Sequence, residues 1–356
     1  MENYLFALGR NPQLSLLELI SFLKNNAFDG RVLEKYDEYV LVSLTNFNAS
    51  KTMKQFGGIL KIAKVLDDDL YAGSKNKVTF AVNWFKSDPS KIMKQVKGLF
   101  KELDLKATQK FAKSRTILPT KAKGLDIELI AYKENLFKVV ASSNPKEYKE
   151  RDEKRPVFNP LKVTSIRFAK ILINLAQPKK EIFDPFCGTG TILQEASLMG
   201  FSSIGLDRQI TDAHKNLRWL QKKFVSVKGR WNLLQGDAAR LSKRIKSVEC
   251  VVTEPYLGPF FKRPPLFRDA LKVGKELEVL YTKVLSELHK VVKGKVVILI
   301  PQIKTKERKL VSIPMAKLLR NTGFKVYTPA KNIFIPLVYD DVKNNVQRLV
   351  YILEKV

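Results

Sequence analysis

Acidic residues are scarce in this 356-residue chain: 35 Asp and Glu stand against 64 Lys and Arg, a formal net charge of +29. That excess is far beyond what solubility requires and argues for a polyanionic partner, nucleic acid first. Cysteine is scarcer still. With only Cys187 and Cys250, neither a disulfide framework nor a cysteine-built zinc site is available, and no metal is expected. Both cysteines fall in apolar strand-end contexts that suit small buried side chains. Long apolar runs are missing as well. No stretch approaches the roughly 20 residues of a membrane span. The opening Met1-Glu2-Asn3-Tyr4-Leu5 lacks the basic region and apolar run of a secretory signal. A cytoplasmic, membrane-free monomer is expected.

What is present is organised around Asp184-Pro185-Phe186-Cys187-Gly188-Thr189-Gly190. Glu181-Ile182-Phe183 before it reads as a strand, and Thr191 to Gly200 after it reads as a helix. Strand, glycine turn and helix is the doubly wound arrangement whose ligands sit at the carboxyl ends of the strands. The glycines let backbone approach a ligand where a side chain would clash. From residue 180 onward strands and helices alternate, which implies a parallel sheet. Its strands are expected at 182–186, 203–206, 233–235, 248–253 and 295–300, with helices starting near Thr191, Thr211, Ala239 and Gly274. Further strands at 325–327, 333–339 and 346–353, joined across Asp340-Asp341 and Asn344-Asn345, suggest an antiparallel hairpin at one edge. Five parallel strands with a reversed terminal pair is the Rossmann-like layout of a class I methyltransferase domain.

Two more acids end successive strands. Asp207 lies 17 positions after Gly190, where a carboxylate can accept from two ribose hydroxyls. Asp237, followed by Ala238, is placed to accept from an adenine amino group. Together with Asp184 they describe a pocket for an adenosine-containing ligand. The turn reads D-x-x-x-G-x-G, not G-x-G-x-x-G, and no Gly-Lys-Ser/Thr follows; nicotinamide cofactors and a triphosphate cradle are disfavoured. S-adenosylmethionine fits best, because its ammonium suits Asp184 and its carboxylate suits backbone N–H groups.

The fourth strand runs into Thr253-Glu254-Pro255-Tyr256-Leu257-Gly258. This resembles the D/N-P-P-Y/F of amino-directed methyltransferases, in which the acid or amide orients the target amine and the aromatic ring stacks on the base. Glu254 stands for Asp. Without a gap Leu257 occupies the aromatic position; with one proline dropped Tyr256 does, and Tyr256 is taken as the stacker. The loop after it, Pro259-Phe260-Phe261-Lys262-Arg263-Pro264-Pro265, mixes aromatics and cations suited either to RNA or to plain packing.

The amino-terminal half carries no sharp motif. Residues 1–65 read as one small α+β module, 66–145 as a second, and 146–160 as a charged loop linking to a catalytic domain over 161–356. Around Asp67-Asp68-Asp69 a polar stretch marks the first boundary. Cations gather in the second module at Lys106, Lys110, Lys113, Arg115, Lys121 and Lys123.

From about residue 60 onward the chain is similar to the archaeal-type THUMP-domain tRNA guanine-N2 methyltransferases. Asp184–Gly190, Gly236–Ala238 and the run from Arg155-Pro156 through Asn159-Pro160 and Ser165-Ile166-Arg167 to Asn174-Leu175 carry the likeness. The last resembles that family's R-P-x-x-x-P…S-P-K-L-A-R…N-L segment, with Ile166 in place of a proline. The resemblance implies a ferredoxin-like module followed by a THUMP-like RNA-binding domain. It implies that Ser165, Asp184, Phe186, Cys187, Gly188, Gly190, Asp207, Asp237 and Ala238 hold the cofactor, and that Glu254, Pro255 and Tyr256 serve the reaction. Lys110, Lys113, Arg115, Lys121, Lys123, Lys262 and Arg263 would touch structured RNA, tRNA first. Two other readings stay open: a DNA adenine or cytosine amino-methyltransferase, and an RNA-binding relative without turnover.

Overall fold

The computed structural model describes residues 1–36, 38–67, 70–158, 164–224, 227, 229–339 and 345–356. The chain divides into two compact units, one of residues 1–16 and 26–150, the other of residues 17–25 and 151–356.

The first unit is built on strands β1 (Glu2–Leu8), β2 (Gly30–Tyr36), β3 (Tyr39–Leu44), β4 (Ile59–Val65), β5 (Lys77–Phe85), β6 (Lys106–Gln109), β7 (Ile127–Tyr132) and β8 (Asn135–Ser142). Its helices include α1 (Pro12–Asn25), which begins here, α2 (Ala49–Met53), α3 (Pro89–Glu102) and α4 (Pro119–Ala122). The strands form a single sheet in the order β2-β3-β1-β4-β8-β7-β5-β6. The boundary expected at 65/66 therefore falls within one continuous sheet. β4 pairs antiparallel with β8, with Lys61 opposite Ser142 and Val65 opposite Phe137. An unpaired strand edge is a liability that a neighbouring strand removes, and β8 removes that of β4. Asp68 and Asp69 of the expected boundary lie outside the described residues.

The charged stretch expected as a loop contains a helix, α5 (Pro145–Lys154). Proline at its first position and Asn144, whose Oδ1 accepts from the Glu147 N–H at 3.4 Å, start it in the usual way.

The second unit follows with α6 (Ile166–Ala176), β9 (Glu181–Asp184), α7 (Thr191–Met199), β10 (Ser202–Asp207), α8 (Thr211–Lys223) and β11 (Trp231–Gln235). A 3-10 turn (Ala238–Lys243), β12 (Cys250–Thr253), α9 (Phe267–Val291), β13 (Val296–Lys304) and β14 (Leu310–Ser312) come next. The last elements are α10 (Met315–Thr322), β15 (Phe324–Val326), β16 (Leu337–Tyr339) and β17 (Val346–Lys355). The sheet order is β11-β10-β9-β12-β13-β17-β15, with β14 on β13 and β16 on β17. β11, β10, β9, β12 and β13 are mutually parallel; β17 runs antiparallel to both β13 and β15. β16 also pairs antiparallel with β17, Leu337 opposite Val350 and Tyr339 opposite Arg348, so the expected hairpin is present, with β17 as its inner arm against β13. Of the segment 333–339 only Leu337–Tyr339 forms a strand, and Asp340, Asp341 and Asn344 lie outside the described residues.

The helix expected near Gly274 starts earlier, at Phe267. Gly274 sits inside it because a Cβ there would come within 3.3 Å of Val311 on β14. Ala270, Leu277, Tyr281, Val284, Leu285, Leu288 and Val291 of α9 are buried at three- and four-residue spacing, one helical face. All but Ala270, which packs with Ile303 and Val311, pack with Phe183, Val251, Val296 and Ile298 of the parallel strands. Each such side chain removed from water contributes about 1.5–3 kcal/mol, and together they hold the strand ends at fixed positions. Among the described residues no helix is long and apolar enough to cross a membrane, and no group of His, Cys, Asp and Glu is arranged to hold a metal.

Candidate active site

The parallel register brings the predicted acids to one edge. Asp184 pairs across to Gly205 and Asp207 to Gln235, so β9, β10 and β11 end side by side. Asp237 follows β11 directly, and Glu254 follows β12, the other neighbour of β9. Four carboxylates thus stand at four adjacent strand ends.

Asp184 is the most constrained of these. It is 2% exposed. The Thr253 hydroxyl donates to its Oδ1 at 2.7 Å and the Phe186 N–H to the same oxygen at 3.1 Å. Its Oδ2 has no partner among the described residues. Burial, aided by the charges of Asp207 and Glu254 and opposed by the two hydrogen bonds, pushes its carboxyl up from 3.8 to about 7. A cation bound beside Oδ2 would relieve that penalty.

The glycine turn is shaped by two left-handed residues. Gly188 has φ +50° and Gly190 φ +83°, a region that costs an L side chain roughly 1–2 kcal/mol. The Gly190 N–H closes the turn onto the Cys187 carbonyl at 2.7 Å. Gly190 also lies against α8, where an added Cβ would meet the Ala213 Cβ at 3.3 Å. The Gly188 N–H donates to Asp207 Oδ2 at 2.9 Å, and the Gln209 N–H to Oδ1 at 3.1 Å. Asp237 Oδ1 accepts from the Ala239 N–H at 3.0 Å, and its Oδ2 lies 3.5 Å from the exposed Arg208 guanidinium. Cys187 and Ala238 are buried, and Phe186 is half-buried. Burial raises the thiol pKa of both cysteines. These inert thiols match the expected packing role.

Glu254 has both oxygens engaged. Arg348 on β17 donates from Nε to Oε1 at 2.6 Å, with side-chain exposures of 17% for the arginine and 15% for the glutamate. The Thr164 hydroxyl donates to Oε2. Pro255 is buried, and the Tyr256 ring beyond it is 56% exposed. The buried Tyr281 hydroxyl fixes the Tyr256 carbonyl at 2.8 Å. Phe260 is exposed, as are Lys262 and Arg263. Ser165 caps α6, its Oγ accepting from the Phe168 N–H at 3.3 Å. In the first unit Lys110, Lys113, Arg115, Lys121 and Lys123 are all exposed, around β6 and α4.

Several positions that shape this edge escaped the sequence reading. Arg151, 1% exposed, forms a two-pronged ion pair with Glu195 of α7, Nε to Oε1 at 3.2 Å and Nη2 to Oε2 at 3.0 Å. Arg155 donates to the Thr191 hydroxyl at 2.9 Å and pairs with Asp152 at 3.3 Å. Both anchor the segment 151–158 onto the helix that leaves the glycine turn. Asn216 of α8 is fully buried. Its Nδ2 donates to the carbonyls of Val157 at 3.0 Å and Thr189 at 2.9 Å, and its Oδ1 accepts from the Val157 N–H at 2.9 Å. An amide on the apolar face formed by Ala213, Leu217 and Leu220 was the available signal. Arg348, lying 94 residues from Glu254, gave none.

Residues 154–223 match the family described as RMKL-like, methyltransferase domain. A tRNA (guanine(10)-N2)-dimethyltransferase of Pyrococcus abyssi is 29% identical over 215 residues, 59% of this chain and 55% of the relative. An enzyme of the same name from Methanothermobacter thermautotrophicus is 25% identical over 308 residues, 81% of this chain and 85% of the relative. The match thus spans about half the length of the first relative and most of the second. The crystal structure of TrmN from Thermus thermophilus aligns with a TM-score of 0.53 at 16% identity, covering 99% of this chain and 100% of that one. Residues 154–223 are thus similar to an RMKL-like methyltransferase domain, and the chain shares the fold of TrmN.

Proposed function

We propose that this chain transfers a methyl group from S-adenosylmethionine to the exocyclic N2 amine of a guanosine in tRNA. The observation that carries the reading is the set of four carboxylates at adjacent strand ends, one buried with an unpartnered oxygen beside a left-handed glycine turn and one held at the edge of an exposed tyrosine. The names of the relatives point to the acceptor atom.

The residues fit the cofactor chemically. Asp184 Oδ2 suits its ammonium, the glycine turn its carboxylate, Asp207 the ribose hydroxyls, and Asp237 with Ala238 the adenine. Ser165, Phe186, Cys187 and Gly190 complete that wall. Bound S-adenosylmethionine supplies an electrophilic methyl on a sulfonium that is already a good leaving group. The protein therefore has little acid–base work to do; alignment is its main contribution. Glu254 accepts from the target amine and offsets the positive charge that develops on nitrogen. Arg348 and Thr164 hold that carboxylate, and Tyr281 holds the Tyr256 backbone. The Tyr256 ring offers a stacking face for the base. Lys262 and Arg263, and in the other unit Lys110, Lys113, Arg115, Lys121 and Lys123, contact phosphates.

A tRNA-binding relative without turnover is favoured by one feature, the occupation of both Glu254 oxygens. Incubation with methyl-labelled cofactor and either unmodified tRNA or duplex DNA separates the readings, with mass spectrometry of the digested nucleosides. N2-methylated guanosine from tRNA is the expected result. Label in DNA alone overturns the substrate assignment, and tight binding of both cofactor and tRNA without transfer overturns the activity.

A further inference from the structure

Helix α8 has two faces. Ala213, Asn216, Leu217 and Leu220 are buried against the unit, so the helix is rigidly seated. Its outer face carries Lys215, Arg218, Trp219 and Lys222 at i, i+3, i+4 and i+7, the spacing of one helical stripe. With Lys223 and Pro156 they line a groove of about 430 Å³. The Trp219 ring is half-buried at the groove, its edge toward Phe224 at 5.7 Å, with the Lys223 Nζ 5.5 Å from its centroid.

The charges of this stripe are left uncompensated. Some exposed lysines meet carboxylates, as in Lys75–Asp126, Lys91–Glu134, Lys133–Glu34 and Lys317–Glu278, while others, Lys110 and Lys113 among them, do not among the described residues. Lys215, Arg218 and Lys222 have no such partner among the described residues. Three cations on one seated helical face repel one another, and a polyanion relieves that repulsion. An aromatic ring among them is the combination that takes a nucleic-acid strand, cations on phosphates and ring on a base. The only large apolar residue on the stripe is Trp219, too little for a lipid surface, which requires a broad apolar face.

We propose that the outer face of α8 is a docking surface for the sugar–phosphate backbone of the RNA substrate, distinct from the strand-end carboxylates. The proposal rests on tRNA being the substrate. The test uses the full chain and an unmodified tRNA transcript, with binding followed by fluorescence anisotropy over a salt series. The triple variant Lys215→Ala, Arg218→Ala, Lys222→Ala changes exposed side chains only. Loss of three phosphate contacts lowers the log–log salt slope by about 2 to 3 and weakens binding roughly 100-fold at 0.15 M salt. S-adenosylmethionine affinity stays unchanged. A second measurement needs no variant: tRNA protects Lys215 and Lys222 from acetylation, while the exposed Lys275 on α9 stays reactive.

Unchanged slope and affinity in the triple variant, with wild type methylating tRNA, overturns the docking surface and leaves the proposed function standing. Wild type that binds tRNA through this face without transferring methyl keeps the surface and rejects the activity. Wild type without tRNA affinity overturns both. Loss of poly-glutamate binding alone, with tRNA binding intact, assigns the face to an acidic protein and overturns the proposal.

Discussion

Replacing Arg348 tests whether Glu254 is held in place for the proposed reaction by β17. Its Nε reaches Glu254 Oε1 at 2.6 Å, and both side chains are largely shielded from water. A hydrogen bond to a charged group contributes about 1.5–3 kcal/mol. Without it the Glu254 carboxylate keeps only the Thr164 contact and is free to rotate away from the amine. If that whole contribution serves alignment, Arg348→Ala slows methyl transfer roughly 10- to 150-fold. The assay is single-turnover transfer to tRNA at saturating cofactor and RNA, with cofactor affinity measured in parallel and expected to be unchanged. Arg348→Lys should recover part of the rate, since it restores a charge without the planar fork. The decisive arm is the double variant with Glu254→Gln. If Arg348 acts through Glu254, the double variant is about as slow as Glu254→Gln alone. Fully additive losses, or a rate in Arg348→Ala equal to or above wild type, refute the positioning role.

Asp184→Asn should trade function for stability. Both hydrogen bonds to Asp184 end on Oδ1, so an amide can keep them. The folded carboxyl titrates near 7 against 3.8 when unfolded. Its ionisation costs nothing below about pH 4, costs progressively more as pH rises to 7, and above that costs on the order of 4 kcal/mol. The variant should melt higher than wild type at pH 8, with the gap closing by pH 4, and bind S-adenosylmethionine at least tenfold more weakly; a lower melting point at pH 8 contradicts this. Arg151→Ala strands the buried Glu195 charge, so urea denaturation should show a loss of about 3–5 kcal/mol. The pair replacement Arg151→Met with Glu195→Leu should recover most of it. Gly188→Ala, whose Cβ meets nothing nearer than 4.0 Å, should show the conformational cost alone, about 1–2 kcal/mol; Gly190→Ala adds to a left-handed φ the approach to Ala213 and should cost more than Gly188→Ala while weakening cofactor binding.

The parallel half of the second sheet was legible because its strands are apolar on both faces and end in acids beside a glycine turn, a local pattern. Asp184, Asp207 and Asp237 arrive at one edge because register follows from those short connections. The charged stretch at 146–160 misled for the opposite reason. Arg151 and Arg155 look solvated until Glu195 and Thr191, 36 to 44 residues later, turn to meet them. The break expected near residue 65 was a true polar stretch, but β4 and β8 pair across it. Composition along the chain does not reveal which distant edge a strand will find. Glu254 was visible as a departure from a motif; that its charge is matched by Arg348 required the antiparallel placement of β17.

That placement has a consequence for biosynthesis. β17 is inserted between two neighbours that the ribosome makes earlier, so a nascent chain lacking residues 346–355 presents two open sheet borders and a glutamate with no counter-charge. Both borders would be open to pairing with stray strands. Delivery of Arg348 by β17 ties the charge balance of Glu254 to the filling of this place in the sheet.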